Sequence, residues 1–124
     1  MLATSKVEAF VGTTDPEKAR HFYETVLGLS FIADAPFALI FDANGTPLRI
    51  SKVDEVSPAP YTVLGWSVSD IVAMTKTLRK RGVVFERYPY FEQDENDIWT
   101  APTGAKVAWF KDPDGNTLSV SQST

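Results

Sequence analysis

Cysteine is absent from this 124-residue chain and histidine occurs once. The first absence excludes disulfides, thiolate metal ligands and a cysteine nucleophile, and the second excludes any metal site built from several histidines. Positive charge is the scarcer sign: 12 Lys and Arg stand against 16 Asp and Glu, for a net charge of −4 and a pI near 4.9. Nucleic-acid binding needs a clustered basic face to neutralise phosphates, so that role is disfavoured. The one basic cluster, Lys76, Arg79, Lys80 and Arg81, falls at the end of an expected helix, where cations complement the helix dipole. No apolar run approaches the roughly 20 residues of a membrane span. Residues 1–5 lack the basic start and apolar stretch of a secretory signal, so a cytoplasmic protein without membrane contact is expected.

What is present suits one soluble domain over residues 1–124, with 44% hydrophobic and 23% charged residues. Lys6–Thr13 alternates as a two-faced strand, with Val7, Ala9 and Val11 against Glu8, Phe10 and Gly12. Asp15-Pro16-Glu17 then supplies an N-cap, a first-turn proline and a first-turn acid. Ala19, Phe22, Tyr23, Val26 and Leu27 form the apolar stripe of the helix that follows, and Gly28 is its stop. Strands are expected at Leu29–Ala33, Phe37–Asp42 and Pro47–Lys52, with Asn44-Gly45 as a hairpin turn. After the stiff connector Ser57-Pro58-Ala59-Pro60 the order repeats. Tyr61–Val68 is a strand, Asp70 caps a helix with the stripe Ile71, Met74, Thr75 and Leu78, and Gly82 follows that helix. Strands are then expected at Val83–Arg87, Lys106–Lys111 and Thr117–Gln122. The repeat step is 55 residues at the caps (15 to 70) and 70 at the turn glycines (45 to 115). The second unit therefore carries an insertion, Tyr88–Ala105.

The run Asp15-Pro16-Glu17-Lys18-Ala19-Arg20-His21-Phe22-Tyr23 with Val26-Leu27-Gly28-Leu29 resembles the first helix of the vicinal oxygen chelate superfamily. That group includes glyoxalase I, bleomycin-resistance proteins and extradiol dioxygenases. Trp109-Phe110-Lys111-Asp112-Pro113-Asp114-Gly115-Asn116-Thr117-Leu118 is similar to its closing hairpin. The resemblance implies an α+β fold of two tandem β-α-β-β-β modules, about 5–53 and 61–124 with a linker at about 54–60. Together they would form a curved, cup-like eight-stranded mixed sheet with helices on the convex face. Metal-bearing members draw His, Gln or Glu ligands from the first and last strand of each module. Seven residues before Asp15 and Asp70 stand Glu8 and Val63, and four after Gly45 and Gly115 stand Arg49 and Ser119. Only Glu8 is a good ligand, and arginine brings its own fixed positive charge. No metal and no other cofactor is expected, and Glu8 and Arg49 are expected to pair where the cation would sit, either as a structural pair or as a ligand-facing one.

Alternation places Glu8, Phe10, Arg49, Ser51, Val63, Gly65, Thr117, Ser119 and Ser121 on the concave side. The insertion has two readings. One is a hairpin with a solvated acidic tip; the other is a flap that brings Tyr90, Phe91 and Trp99 over the open side of the sheet. Its acidic run lacks the glycine and distal glutamate of a calcium loop. Trp66 and Trp109 are read as core, and His21, outside its helix stripe, as solvent-exposed. The leading functional expectation is a metal-free small-molecule binding protein similar to the bleomycin-resistance branch, a homodimer that sequesters a cationic or aromatic compound. The alternative is a lyase, isomerase or dioxygenase of the same superfamily with an atypical metal site or Glu8 as general base. A third reading is a structural or partner-binding role.

Overall fold

Both helices begin where a carboxylate caps them. Asp15 accepts a hydrogen bond from the Lys18 amide at 3.2 Å, with Pro16 at the first helical position, and Asp70 accepts from the Ala73 amide at 3.1 Å. In the computed structural model, which describes all 124 residues, α1 spans Pro16–Arg20 and widens into a π-helical segment at His21–Val26. The Leu27 amide closes that segment on the Phe22 carbonyl. Helix α2 spans Ile71–Lys80. Gly28 (φ +76°) and Gly82 (φ +98°) end the two helical segments in the left-handed region, which costs glycine little. No helix is long and apolar enough to cross a membrane.

Strands β1 (Ala9–Thr13), β2 (Ser30–Asp34), β3 (Ala38–Ala43) and β4 (Thr46–Lys52) form one sheet in the order β1-β4-β3-β2. Strands β5 (Leu64–Ser67), β6 (Trp99–Thr100), β7 (Lys106–Lys111) and β8 (Thr117–Gln122) form a second, in the order β5-β8-β7-β6. In each sheet the first strand runs parallel to the last and the other neighbours are antiparallel. Ala9 pairs with Leu48 and Leu64 with Leu118, so the steps of 55 and 70 residues read from caps and turns recur in the ladders. The eight strands thus divide into two four-stranded mixed sheets, one per module.

The expected strand at Val83–Arg87 does not form. Only Phe85 bridges β7, at Phe110, and the Glu86 amide bonds the Trp109 carbonyl before the chain leaves through Tyr88-Pro89. Proline has no N–H to continue a ladder. The remaining edge of β7 is taken by Trp99 and Thr100 of the insertion, opposite Val107 and Lys106. The first strand of each module also starts later than alternation suggests, at Ala9 and at Leu64.

The central strands carry most of the core, and in β8 all four residues Thr117–Val120 are buried. Leu39, Phe41, Leu48 and Ile50 from the first sheet and Ala108, Phe110, Leu118 and Val120 from the second join Tyr23, Ile71 and Leu78 in one core of 16 residues. Helical residues of module one touch the buried face of both sheets, with Tyr23 6.0 Å from Phe41 and Phe22 6.4 Å from Phe110, ring centre to ring centre.

The closing hairpin latches the modules together. The Tyr23 hydroxyl donates to Asp112 at 2.7 Å, the Thr13 and Thr14 hydroxyls donate to Asp114 at 2.6 and 2.7 Å, and the Asn116 side-chain amide donates to the Gly12 carbonyl at 2.9 Å. Burial pushes the Tyr23 phenol far above its ordinary range, and the charge of Asp112 and the bond to it add to the shift. Burial alone would raise Asp114, but the hydrogen bonds from Thr13 and Thr14 outweigh it and hold the carboxyl below the usual carboxylate range.

Candidate functional site

On the open face of module one, register sets Phe10 across from Arg49 and Arg49 across from Ile40. The expected Glu8–Arg49 pair does not form. Glu8 precedes the first paired residue of β1 and is exposed, and neither residue takes part in any of the five ion pairs. Ser51 lies opposite Gly12, over which the linker folds: a Cβ at Gly12 would meet Val53 at 3.3 Å and Val56 at 3.4 Å.

The open face of module two has a different relief. The row equivalent to Phe10–Arg49–Ile40 is Gly65–Ser119–Trp109. Two small residues replace two long ones, and a tryptophan stands at the third position. The expectation that Trp109 is core is therefore overturned: Ala108 and Phe110 on either side point inward and Trp109 points out. The signal was available in the sequence, because Trp109 pairs with Ser119, a residue that alternation already places on this face. Trp66 does lie on the inner side, stacked on Phe110 at 6.4 Å. Ser121 pairs with Ser67 and Val107, and the Val63 amide bonds the Thr117 carbonyl.

The insertion lies over Trp109. Phe91 stacks parallel to it, 2° between planes and 5.1 Å between centroids. Trp99 sits 4.5 Å from Phe91, and Tyr88 meets Trp109 edge-on at 5.5 Å. Tyr90 stacks on Tyr88 at 5.5 Å and is 71% exposed. Between this aromatic wall and the segment leading into β5 lies an open cavity of about 390 Å³, lined by Tyr61, Thr62, Tyr88, Tyr90, Phe91, Trp109 and Thr117 among others. Burial pushes the Tyr88 phenol up, with Glu86 and then Tyr90 adding to the shift. The acidic run is not a free tip. Asp97 is held by Arg79 and Arg87, and Asp94 accepts from the amides of Asn96 and Ile98. Arg79 and Arg81, read from sequence as helix-dipole residues, make tertiary contacts instead, Arg81 with the Thr25 carbonyl. Of the residues expected at the site, Tyr90, Phe91 and Trp99 line cavities. Glu8, Phe10, Arg49, Ser51, Val63, Ser119 and Ser121 line none. His21 is exposed, as its place on the helix implies.

The sequence profile of the Glyoxalase/Bleomycin resistance protein/Dioxygenase superfamily matches residues 7–120. The chain belongs to this superfamily. Solved structures agree on the fold. A superfamily member from Sphaerobacter thermophilus DSM 20745 is 26% identical, with a TM-score of 0.76 over 98% of this chain and 99% of that one. A glyoxalase/bleomycin resistance protein/dioxygenase from Alicyclobacillus acidocaldarius is 21% identical, with a TM-score of 0.75 over 97% and 92%. A lactoylglutathione lyase from Agrobacterium tumefaciens is 18% identical, with a TM-score of 0.69 over 96% and 93%. No curated protein sequence matches the chain.

The metal of the superfamily does not fit the residues found here. The four positions that the resemblance assigns to its ligands hold a carboxylate, a guanidinium, an isopropyl group and a hydroxyl, from Glu8, Arg49, Val63 and Ser119. The two from module one and the two from module two belong to separate sheets. No three His, Asp or Glu side chains converge elsewhere in the chain.

Proposed function

We propose that this chain is a metal-independent small-molecule binding protein of the glyoxalase/bleomycin-resistance type, holding a flat, cationic aromatic compound against the open face of module two. The observation that carries this reading is the cavity walled by Tyr61, Tyr88, Tyr90, Phe91 and Trp109 beside the small residues Gly65 and Ser119. Aromatic faces attract planar and cationic groups, and the net charge of −4 favours a cation over an anion. Thr62 and Thr117 offer hydroxyls for orientation, but the cavity holds no acid–base pair suited to turnover. Glu8 is exposed and lines no cavity, which speaks against its use as a general base.

The protein acts as a homodimer in this reading. The exposure of Phe10 (57%) on one module and Tyr61 (66%) on the other suits cover by a second copy.

The test is titration with N-methylacridinium, followed by tryptophan quenching. Saturable binding is expected, weakened about 5- to 30-fold by Phe91→Ala, from the roughly 1–2 kcal/mol of a stacked, cation-bearing ring contact. Neutral acridine should bind more weakly than the cation. Equal binding by wild type and Phe91→Ala would overturn the site. Stoichiometric zinc, nickel, manganese or iron in protein purified without chelator would overturn the metal-independent reading, and a monomer by light scattering at micromolar concentration would overturn the dimer.

A further inference from the structure

The aromatic wall stands on a segment with almost no ladder to hold it. Between Glu86 and β6 the only backbone bridge joins Gln93 to Trp99. What fixes this segment is a polar clamp with one carboxylate at its centre. Asp97 is 19% exposed on its side chain and adopts φ +65°, in the left-handed region. One of its carboxylate oxygens accepts from Arg79 of α2 at 2.8 Å, and the other from Arg87, which follows the Phe85 bridge. Each guanidinium makes further bonds to the same segment, Arg79 to the Asn96 carbonyl and Arg87 to the carbonyls of Gln93 (2.8 Å) and Asp94 (3.0 Å). The Gln93 side chain completes the clamp, accepting from the Tyr88 amide and donating to the carbonyls of Glu86 and Asp97.

Each end of the wall is tied to this clamp. Tyr88 is held through Gln93, and the residue after Asp97 is Ile98, 2% exposed, which leads directly into Trp99. We infer that Asp97 is a positioning residue: its carboxylate, shared by Arg79 and Arg87, sets the Tyr88–Phe91 segment and Trp99 against Trp109 and so holds the binding cavity in shape. This rests on the proposed cavity for its meaning in ligand binding, while the clamp itself is tested without any ligand. The physical reason is local charge balance. Without the carboxylate, two guanidiniums face one another across the turn with only carbonyls to satisfy them, and like charges at that range repel.

Asp97→Asn is the test, because asparagine keeps the shape and tolerates the left-handed backbone while removing the charge. Three changes are expected: the near-ultraviolet circular dichroism of the stacked Phe91, Trp99 and Trp109 falls to less than half; amide exchange over residues 88–98 quickens about tenfold or more; and N-methylacridinium leaves about tenfold faster. A second substitution, Arg79→Gln in the Asp97→Asn background, removes one of the two facing charges and so their repulsion, and is expected to restore part of the dichroism, which general loss of stability would not do. Wild-type dichroism and exchange in Asp97→Asn would overturn the inference. If those two change as expected but N-methylacridinium binds neither protein, the clamp stands and the proposed ligand class falls. Should Asp97→Asn fail to fold, Arg87→Gln, at a side chain 56% exposed, must show the same changes at smaller size, and their absence there overturns the inference.

Discussion

Replacing Tyr23 by phenylalanine removes one oxygen from the most buried contact between the modules. Tyr23 is 0% exposed and its hydroxyl donates to Asp112, itself 6% exposed. Phenylalanine fills the same space, so no cavity term enters, and the cost is that of a hydrogen bond to a charged acceptor, about 1.5–3 kcal/mol. Asp112 is not stranded by the change. The oxygen that loses Tyr23 still accepts from the Asn116 side chain at 2.8 Å, and the other accepts from the Asp114 and Asn116 amides, both at 2.9 Å. The lower half of the range therefore applies, about 1.5–2 kcal/mol, or roughly 5–10 °C in Tm for a chain of this length. Asp112→Ala does the opposite, leaving a buried phenol, two backbone amides and one N–H of the Asn116 side chain without their acceptor, and is expected to cost about 3–5 kcal/mol. Urea unfolding at pH 7, followed by fluorescence with m-values compared, measures both. The reasoning is refuted if Tyr23→Phe lies within about 0.5 kcal/mol of wild type, inside the range of an ordinary surface change, or if Asp112→Ala is the milder of the two.

Two further outcomes follow from the latch and the open face. Asp114 has a folded-state pKa below its ordinary 3.8, so its contribution to stability is fully present above that value and is lost as pH falls through the folded one. Unfolding free energy measured between about pH 5 and 2 should fall less steeply in Asp114→Asn than in wild type, and identical slopes would count against the Thr13 and Thr14 bonds. At Gly65 an added Cβ would lie 3.0 Å from the Ser119 hydroxyl oxygen and 3.3 Å from its carbonyl oxygen, so Gly65→Ala should cost about 1–2 kcal/mol in thermal melts. Ser119→Ala in the same chain should recover part of that loss, and strict additivity of the two changes would disprove the contact.

Much of the scaffold was legible because it is written in local chemistry. Asp15 and Asp70 cap helices, Asn44 (φ 51°) and Gly45 (φ 94°) make the turn that their dipeptide favours, and the double repeat fixed which strands correspond. The tertiary pairings were not legible. Arg79, Arg87 and Asp97 meet across 18 and 10 residues of chain, and nothing in their spacing distinguishes a clamp from a solvated charge run. The Val83–Arg87 strand failed for a similar reason: its sequence suits a strand, but two segments compete for one edge of β7 and the insertion takes most of it. Trp109 has the residue type of a core position but the parity of the open face, and parity decides. The Glu8–Arg49 pair was inferred from equivalent positions alone, whereas the ladder puts Phe10, not Glu8, beside Arg49.

The duplication also explains why one module carries the candidate site and the other does not. The same row across the two sheets reads Phe10–Arg49–Ile40 in module one and Gly65–Ser119–Trp109 in module two. In the first, three long side chains occupy the sheet surface, and a guanidinium stands where a metal would need a donor. In the second, glycine and a buried serine stand beside one flat ring, and the 15-residue difference between the two repeat steps (55 and 70) supplies the rings that stack on it. Neither change suffices alone. The sheet without the insertion is open, and at the position of Trp109 module one presents Ile40, which has no ring for an insertion to stack on. In the proposed function the aromatic wall would then take the place of a metal, holding a ligand by its flat face rather than through its oxygens.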